Sequence, residues 1–154
     1  MGRFSGARRA LAPTARQRTM TPTPDIPFMR FLGAELVEWS EGRARFALAI
    51  RPEHLNRTGV VHGGVYSVLV DAAGGLAGCY SADPAVPVRS FTLSLATSFL
   101  EAANGGTLHA IGTARRQGRQ VYFSTVDVKD DAGRLVAMGE GSFLYQSRGE
   151  RKGS

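Results

Sequence analysis

Residues 65–80 read VYSVLVDAAGGLAGCY, a stretch as long as an ordinary helix and apolar on nearly every side. A helix without a polar face is typical of the interior of a domain. Gly74, Gly75 and Gly78 each weaken such a helix by up to ~1 kcal/mol relative to alanine, and they are tolerated where another backbone must come close. The stretch therefore predicts a central helix enclosed by sheet.

The segments before this helix are predicted to form two strands. Residues 43–50 alternate Ala, Phe, Leu and Ile with other side chains, which is the period-two pattern of a strand. Glu41-Gly42 supplies the turn that joins this strand to an earlier one at 34–40. A short helical turn at 28–32 precedes both strands, and a loop at 52–59 follows them.

Four more strands follow the helix. They are predicted at 88–100, 107–116, 120–129 and 134–145, with turns at 105–106, 117–118 and 130–133. In the first of these strands, alternation predicts that Phe91, Leu93, Leu95, Thr97 and Phe99 lie on one face. The residues between them are then expected on the opposite face. Consecutive hairpins predict an antiparallel sheet. The fold class is therefore α+β, with the helix on one face of the sheet.

Length and charge indicate one domain with basic tails. A chain of 154 residues suggests a single domain, predicted at 27–147. Residues 1–26 are expected to be a disordered tail; alternatively, translation starts at Met20 and the residues before it are an untranslated leader. Residues 148–154 are expected to be a flexible basic tail. The net charge is +6, yet residues 25–146 hold 11 Arg or Lys against 12 Asp or Glu. Because nucleic-acid binding needs a basic face on the folded part, no nucleic-acid partner is expected.

The single cysteine, Cys79, excludes an internal disulfide and fits a reducing compartment, so we expect a cytoplasmic protein with a buried structural thiol. No run approaches the ~20 apolar residues of a membrane span, and no membrane partner is expected. His54, His62 and His109 are spread along the chain. No metal-ligand cluster is visible, so neither a metal nor another cofactor is expected.

Asp71 is the candidate catalytic residue because it lies midway along the apolar helix. Burying an unpaired carboxylate costs several kcal/mol, so such an acid is either specifically partnered or functional. The sequence His62-Gly63-Gly64 lies where the helix begins. The first N–H groups of a helix lack internal partners and form the positive end of its dipole. They can hold a developing oxyanion, although a plain glycine-rich turn is the alternative.

The spacing of these groups has a consequence for assembly. At a rise of ~1.5 Å per residue, residues 64–71 span roughly 10 Å of helix. Asp71 therefore cannot easily reach a substrate held at the Gly63 N–H of its own chain. Two antiparallel copies of the helix would place Asp71 of one chain beside Gly63 of the other. We predict a two-fold, isologous dimer with two shared sites.

A longer pattern resembles the phenylacetate-degradation (PaaI-type) branch of the hotdog thioesterases. It consists of Asn56-Arg57-Thr58-Gly59-Val60-Val61-His62-Gly63-Gly64, then Leu69, Asp71 and Ala72, and further Gly118-Arg119 and Asp131-Ala132-Gly133-Arg134-Leu135-Val136-Ala137. The resemblance covers residues 32–145, although Glu101-Ala102-Ala103 stands where the family has a proline. It implies the hotdog fold, in which an antiparallel sheet wraps around a central helix. It also implies hydrolysis of acyl-CoA thioesters, with an aryl or medium-chain acyl group.

The resemblance also implies catalytic roles. Asp71 would be the nucleophile or general base toward the thioester carbonyl, and the Gly63 N–H would polarise the carbonyl oxygen. His62 and Asn56 would position the thioester or a water molecule. A Ser or Thr early in the strand after the helix would hold the water, and alignment on Phe99-Leu100 places it at Thr92, with Ser94 in reserve.

Coenzyme A carries phosphates, so basic residues near the site entrance would contact the substrate. The candidates for substrate binding are Arg57, Arg89, Arg115, Arg116 and Arg119, together with Gly64, which would let the substrate approach the backbone. A solvated hairpin end is an equally good interpretation of residues 115–119.

Other functions on the same fold make different demands on the sequence. A non-catalytic acyl-CoA-binding protein would be expected to lack the acid or the His-Gly-Gly, and both are present. A hotdog dehydratase or hydratase relies on a His and an acid at a different spacing. The sequence fits a dimer and a dimer of dimers equally well. It does not identify the acyl group of the substrate.

Overall fold

The computed structural model describes residues 24–146, which form two α-helices and six strands. The elements in chain order are α1 (Pro27–Leu32), β1 (Ala34–Ser40), β2 (Arg43–Ala49), α2 (Gly63–Ala77), β3 (Ser90–Phe99), β4 (Thr107–Gln117), β5 (Val121–Lys129) and β6 (Leu135–Tyr145), with a single 3-10 turn at Pro52–His54 before α2. The predicted tails at 1–26 and 148–154 fall almost wholly outside the described residues. Of their residues, Pro24, Asp25 and Ile26 are described, and Ile26 packs against the core.

The predicted elements agree with these bounds to within three residues, and the α+β class is confirmed. The main difference is at α2, which begins two residues earlier than expected and ends at Ala77 instead of Tyr80. Gly78 follows the last turn with φ −91° and ψ −5°, and the Cys79 N–H donates to the Leu76 carbonyl. The chain therefore tightens and leaves the helix at Gly78.

The six strands form one antiparallel sheet in the order β1-β2-β4-β5-β6-β3. The expected hairpin between β3 and β4 is wrong, because β3 pairs with β6 at the far edge. Residues 100–106 instead run beside the segment that leads into α2, where the Val61 N–H donates to the Ala103 carbonyl at 2.8 Å. This connection carries the chain from β3 at one edge of the sheet to β4 in its middle, as the hotdog strand order requires.

The buried face of α2 packs against the sheet. It consists of Val65, Tyr66, Leu69, Val70, Ala73, Gly74 and Ala77. The opposite side is only partly covered, and we call its residues Val68, Asp71, Ala72, Gly75 and Leu76 the open stripe. The predicted enclosure of the helix is therefore incomplete within one chain, because one sheet covers one side of a helix.

The closest approach of sheet to helix is at Gly112 of β4. A Cβ at this position would lie 2.1 Å from the Ala73 carbonyl oxygen and 3.0 Å from the Gly74 nitrogen. At the helix glycines themselves the neighbours are aromatic rings, since a Cβ on Gly78 would lie 2.2 Å from Tyr122. The expected close backbone contact thus exists, but a strand glycine, not a helix glycine, makes room for it.

Gly112→Ala is expected to destabilise the fold by about 3 kcal/mol, at the upper end of overpacking costs, because the helix backbone cannot yield as a side chain can. Urea unfolding measured by circular dichroism tests this. Gly105→Ala is the matched control, since a Cβ there meets no atom within 4 Å, and its effect should stay within about 0.5 kcal/mol. Equal midpoints for the two variants would contradict the close approach.

Side chains from the sheet satisfy the carbonyl groups at the end of α2. The Tyr122 hydroxyl donates to Gly75 O at 2.5 Å, and the Trp39 indole N–H donates to Leu76 O at 2.9 Å. Burial raises the pKa of Tyr122 well above its ordinary value, so the hydroxyl stays protonated and keeps this bond. The neighbouring Cys79 is buried, which confirms the predicted burial of the thiol.

Candidate active site

Asp71 lies on the open stripe of α2 and has a defined partner. The Thr92 hydroxyl of β3 donates to Asp71 Oδ1 at 2.6 Å. The carboxylate is half-buried, not sealed within the protein as the apolar helix suggested. The second oxygen, Oδ2, has no hydrogen-bond partner among residues 24–146. Asp71 is thus held in place through one oxygen while the other remains available.

Thr92 reaches Asp71 because of the way in which β3 pairs with β6. Thr92 lies opposite Phe143, and Ser94 lies opposite Ser142, with a register shift between them. Directly opposed residues of an antiparallel pair point to the same face of the sheet. Phe143 is a core residue, so Thr92 faces α2 with it, whereas Ser94 points to the outer face. The structure therefore brings Thr92, and not the reserve candidate Ser94, to Asp71.

The register shift is a β-bulge at Leu93, which has no opposed residue in β6. A bulge adds one residue to a strand and changes which side chains share a face. Strict alternation placed Thr92 and Leu95 on opposite faces, and this expectation is wrong. Leu95 packs against the core, on the same side as Thr92.

The open stripe and its neighbours enclose a groove with a volume of about 710 Å³. Asp71 and Thr92 line it together with Val68, Ala72 and Leu76 of the helix. Trp39 of β1 and Met29 of α1 form another part of the lining. Most of the surface beside the carboxylate is therefore apolar, as a site for an acyl or aryl group requires.

The His62-Gly63-Gly64 segment forms the N-terminus of α2, as its sequence suggested. His62 is the N-cap residue, and its Nδ1 accepts the Gly64 N–H at 2.9 Å. The Gly63 N–H has no acceptor among residues 24–146. Because an Nδ1 that accepts must carry no proton, the neutral His62 ring has its proton on Nε2. The segment thus offers two donors to a ligand, the Gly63 N–H and the His62 Nε2–H.

These donors and Asp71 are separate within one chain. The groove lining found over residues 24–146 includes Asp71 and Thr92 but none of Asn56, His62, Gly63 or Gly64. The helix rise sets the same separation, at roughly 12 Å from Gly63 to Asp71. A single chain therefore presents two halves of a site, each without the other.

Asn56 organises the loop before α2. Its Oδ1 accepts the Thr58 N–H at 2.9 Å and the Thr58 hydroxyl at 2.7 Å, and its backbone N–H donates to Val60 O. An Asn side chain that bonds to the backbone two residues on is a common turn-forming device. Its amide nitrogen is the part that can contact a ligand.

His54 supports the site although the sequence did not mark it. It is buried, its Nδ1 accepts the Arg51 N–H at 3.0 Å, and its Nε2 lies 2.9 Å from Leu32 O. Its carbonyl accepts the His62 N–H at 2.8 Å. His54 therefore joins the end of α1 to the start of α2 and holds His62. Its position after Pro52, at the end of a short turn, is the only local signal.

The candidate arginines are divided by the structure. Arg89 lines the groove that holds Asp71, and Arg57 is exposed beside Asn56. The other three lie at the end of the β4–β5 hairpin and are not among the lining residues, namely Arg115, Arg116 and Arg119. The Arg115 guanidinium donates to the Thr125 hydroxyl at 2.7 Å. Among the five candidate arginines, Arg89 alone lines the same groove as the Asp71 carboxylate.

Residues 24–146 contain no group of three or more His, Cys, Asp or Glu side chains placed to hold a metal ion. None of the helices within the same range is long and apolar enough to cross a membrane.

The fold and the site have counterparts in known proteins. The family model for the thioesterase superfamily matches residues 58–137, which include α2 and the strands β3 to β5. A candidate esterase of Saccharolobus solfataricus is 32% identical over 114 residues, covering 74% of this chain and 79% of the relative. A candidate esterase of Mycobacterium tuberculosis is 29% identical over 130 residues, covering 79% and 93%. The chain belongs to the thioesterase superfamily.

Solved structures show which branch of the superfamily this chain resembles. The structure of the Mycobacterium tuberculosis candidate esterase superposes with a TM-score of 0.74 at 26% identity, covering 81% of this chain and all of that one. A variant of the phenylacetic acid degradation protein PaaI from Thermus thermophilus gives a TM-score of 0.67 at 28% identity, covering 77% and 98%. The predicted resemblance to the PaaI-type hotdog thioesterases is confirmed, and it supports thioester hydrolysis in general terms.

Proposed function

We propose that the protein hydrolyses acyl-CoA thioesters with aryl or medium-chain acyl groups, releasing the free acid and coenzyme A. The observation that carries this proposal is the Asp71–Thr92 pair on the wall of a mostly apolar groove. The groove accommodates the acyl group, and the pair supplies an oriented carboxylate beside it. Similarity to a phenylacetic acid degradation protein supports the choice of substrate class.

The direction of the Asp71–Thr92 bond favours a general-base role for Asp71. Thr92 donates its only proton to Oδ1, so the Thr92 oxygen can accept a hydrogen from a water molecule. Such a water would lie between the Thr92 oxygen and Asp71 Oδ2. Asp71 Oδ2 takes a proton from the water as the water oxygen attacks the carbonyl carbon. The C–S bond then breaks, and the proton held by Asp71 passes to the thiolate of coenzyme A, which restores the carboxylate. Direct attack by Oδ2 is the nucleophilic alternative.

The carbonyl oxygen becomes negatively charged during this attack and needs hydrogen-bond donors. The Gly63 N–H at the helix N-terminus is unpaired within the described chain and suits this purpose. His62 and the Asn56 amide nitrogen lie in the same segment and would position the thioester. Arg57, Arg89 and the hairpin arginines stay predicted contacts for the phosphates.

A second copy of the chain would complete the site. The edge strand β3 exposes Phe91, Leu93 and Phe99, each more than half accessible at 57%, 56% and 57%. An apolar edge strand is an exposed template for pairing with another strand. Antiparallel pairing of two β3 edges would set the two α2 helices side by side. Asp71 of one chain would then face Gly63 of the other.

Light scattering tests this assembly, and we expect the mass of a dimer or of a dimer of dimers. A monomeric protein with full hydrolytic activity would contradict the shared site. A cytoplasmic location stays a prediction that rests on the single cysteine.

The function itself is tested by release of free thiol from a panel of aryl- and medium-chain acyl-CoA thioesters. We expect turnover of thioesters and a kcat/KM in the range of ordinary enzymes, about 10⁴ M⁻¹s⁻¹ or more for the best substrate. The corresponding oxygen esters serve as the control substrates. Tight binding of acyl-CoA without any thiol release would instead favour a non-catalytic binding protein.

A further inference from the structure

Two aromatic side chains of α1 lie on the surface of the protein, and we call Phe28 and Phe31 the aromatic patch. Phe31 is 77% exposed and Phe28 is 54% exposed. Their rings stack with centroids 6.3 Å apart and an interplanar angle of 10°, while Met29 is the buried residue of this helix. Single exposed apolar residues are ordinary, whereas contiguous exposed rings are typical of a surface that binds a partner.

The proposed pairing of two β3 edges does not involve the aromatic patch. α1 packs against β1, and β1 and β3 are the two opposite edges of the sheet. The β1 edge has a register shift between Leu36 and Glu38, and Glu35 is exposed on it. Bulges and charged side chains on an edge strand oppose the addition of another strand. The aromatic patch is therefore left for a partner other than a paired copy of the chain.

The segment that precedes α1 carries a large positive charge. Residues 1–23 contain five Arg and no Lys, Asp or Glu. At the start of the described chain, the Arg30 guanidinium is bonded to the Asp25 carboxylate, so this pair adds no net charge. The five arginines are joined to the aromatic patch by the backbone. A positive segment and a pair of exposed rings thus lie next to each other in the chain.

We propose that the aromatic patch and these five arginines bind the surface of an anionic lipid bilayer. Aromatic side chains on the exposed face of a surface helix insert at the boundary between the headgroups and the acyl chains. Arginines beside the insertion are attracted to acidic headgroups. Stable binding needs two signals, and an apolar insertion combined with a basic segment supplies both.

This inference changes the expectation that the protein has no membrane partner. That expectation rested on the lack of a membrane-spanning run, and a contact with the bilayer surface needs no such run. The inference does not depend on the proposed hydrolysis. Phe28 also lines the groove that holds Asp71, so the face that contacts the bilayer adjoins that groove.

Co-sedimentation of the full chain with vesicles tests the role of the arginines. We expect the partition coefficient to be at least ~100-fold higher for vesicles of phosphatidylglycerol and phosphatidylcholine than for vesicles of phosphatidylcholine alone, because several arginines act on the anionic surface together. Added salt should weaken the binding, since ions screen this attraction. Replacement of all five arginines of residues 1–23 with glutamine is expected to remove the difference between the two kinds of vesicle.

Phe28→Ser combined with Phe31→Ser tests the role of the rings. This double variant is expected to lower the partition coefficient for the anionic vesicles by about 100-fold, since burial of each ring contributes about a factor of ten. Phe123→Ser is the matched control, because Phe123 of β5 is 49% exposed and lies outside α1, and it should keep the binding of the wild type. All three rings are exposed, so the thermal midpoints should change little.

Equal partitioning of the wild type into both kinds of vesicle would overturn the proposal, and so would unchanged binding in the double variant. Light scattering of the double variant without lipid tests the competing partner. A mass lower than that of the wild type would assign the aromatic patch to contact between copies of the chain and would also overturn the proposal. An unchanged mass with weaker vesicle binding would support it. Vesicle binding is measured without substrate, so its outcome is separate from that of the hydrolysis assay.

Discussion

Asp71→Asn is expected to lower kcat for acyl-CoA hydrolysis by at least ~100-fold, the usual contribution of a general base or nucleophile. Asparagine keeps the size of the side chain and an oxygen that can accept the Thr92 hydroxyl hydrogen. It loses the oxygen that takes a proton or attacks the carbonyl. The thermal midpoint should change little, so that the loss reports on chemistry.

Asp83→Asn is the matched control for this substitution. Asp83 lines the same groove, and its substitution removes the same charge. Among residues 24–146, its carboxylate accepts the Ala85 N–H at 2.9 Å and no other hydrogen bond. Its kcat should stay within a factor of about two to three, as expected for a surface charge away from the reacting atoms. Steady-state thiol release compares the variants at saturating substrate. A loss of less than tenfold in Asp71→Asn would remove Asp71 from the catalytic centre.

Gly63→Pro is expected to lower kcat by about 10²–10³-fold, the effect of removing one oxyanion donor. Proline has no N–H, and the first position of a helix tolerates it because that N–H has no partner in the helix. His62 before it has φ −63° and ψ 136°, a conformation that a following proline permits. The substitution therefore removes one hydrogen-bond donor while α2 can still form.

Gly63→Ala separates the lost donor from the added carbon. Both variants place a Cβ near the Phe99 ring, at 3.2 Å from its nearest atom. Alanine keeps the N–H and should retain most of the activity. If Gly63→Ala and Gly63→Pro lose activity equally, contact with Phe99 is responsible and the oxyanion role of Gly63 is wrong.

The two inactive variants together test whether each site uses two chains. A mixed dimer of one Asp71→Asn chain and one Gly63→Pro chain contains one intact site if Asp71 and Gly63 act across the interface. We expect such a dimer, purified through a different tag on each chain, to recover about half of the wild-type activity. If both groups acted within one chain, every site would lack one of them and the mixed dimer would be inactive.

Local sequence patterns were sufficient for most of the fold. The alternation in 43–50 and the turn at Glu41-Gly42 determine β1 and β2, because pleat and turn depend on neighbouring residues. The apolar length of 65–80 indicated a helix, but its end depended on Gly78 and on donors from distant strands. The ends of elements are less predictable since they depend on contacts made by other parts of the chain.

For the candidate site, the sequence alone determined which residues to consider and that the His62-Gly63 segment and Asp71 are too far apart on one helix. Only the tertiary structure decided that β3 lies beside β6, that the bulge at Leu93 turns Thr92 toward Asp71, and that His54 holds the loop before α2. The physical reason is that helix rise and strand period are local properties of the backbone. Strand order, a register shift and a buried hydrogen bond arise from contacts between residues distant in sequence. The alternation of side chains within one strand therefore does not predict them.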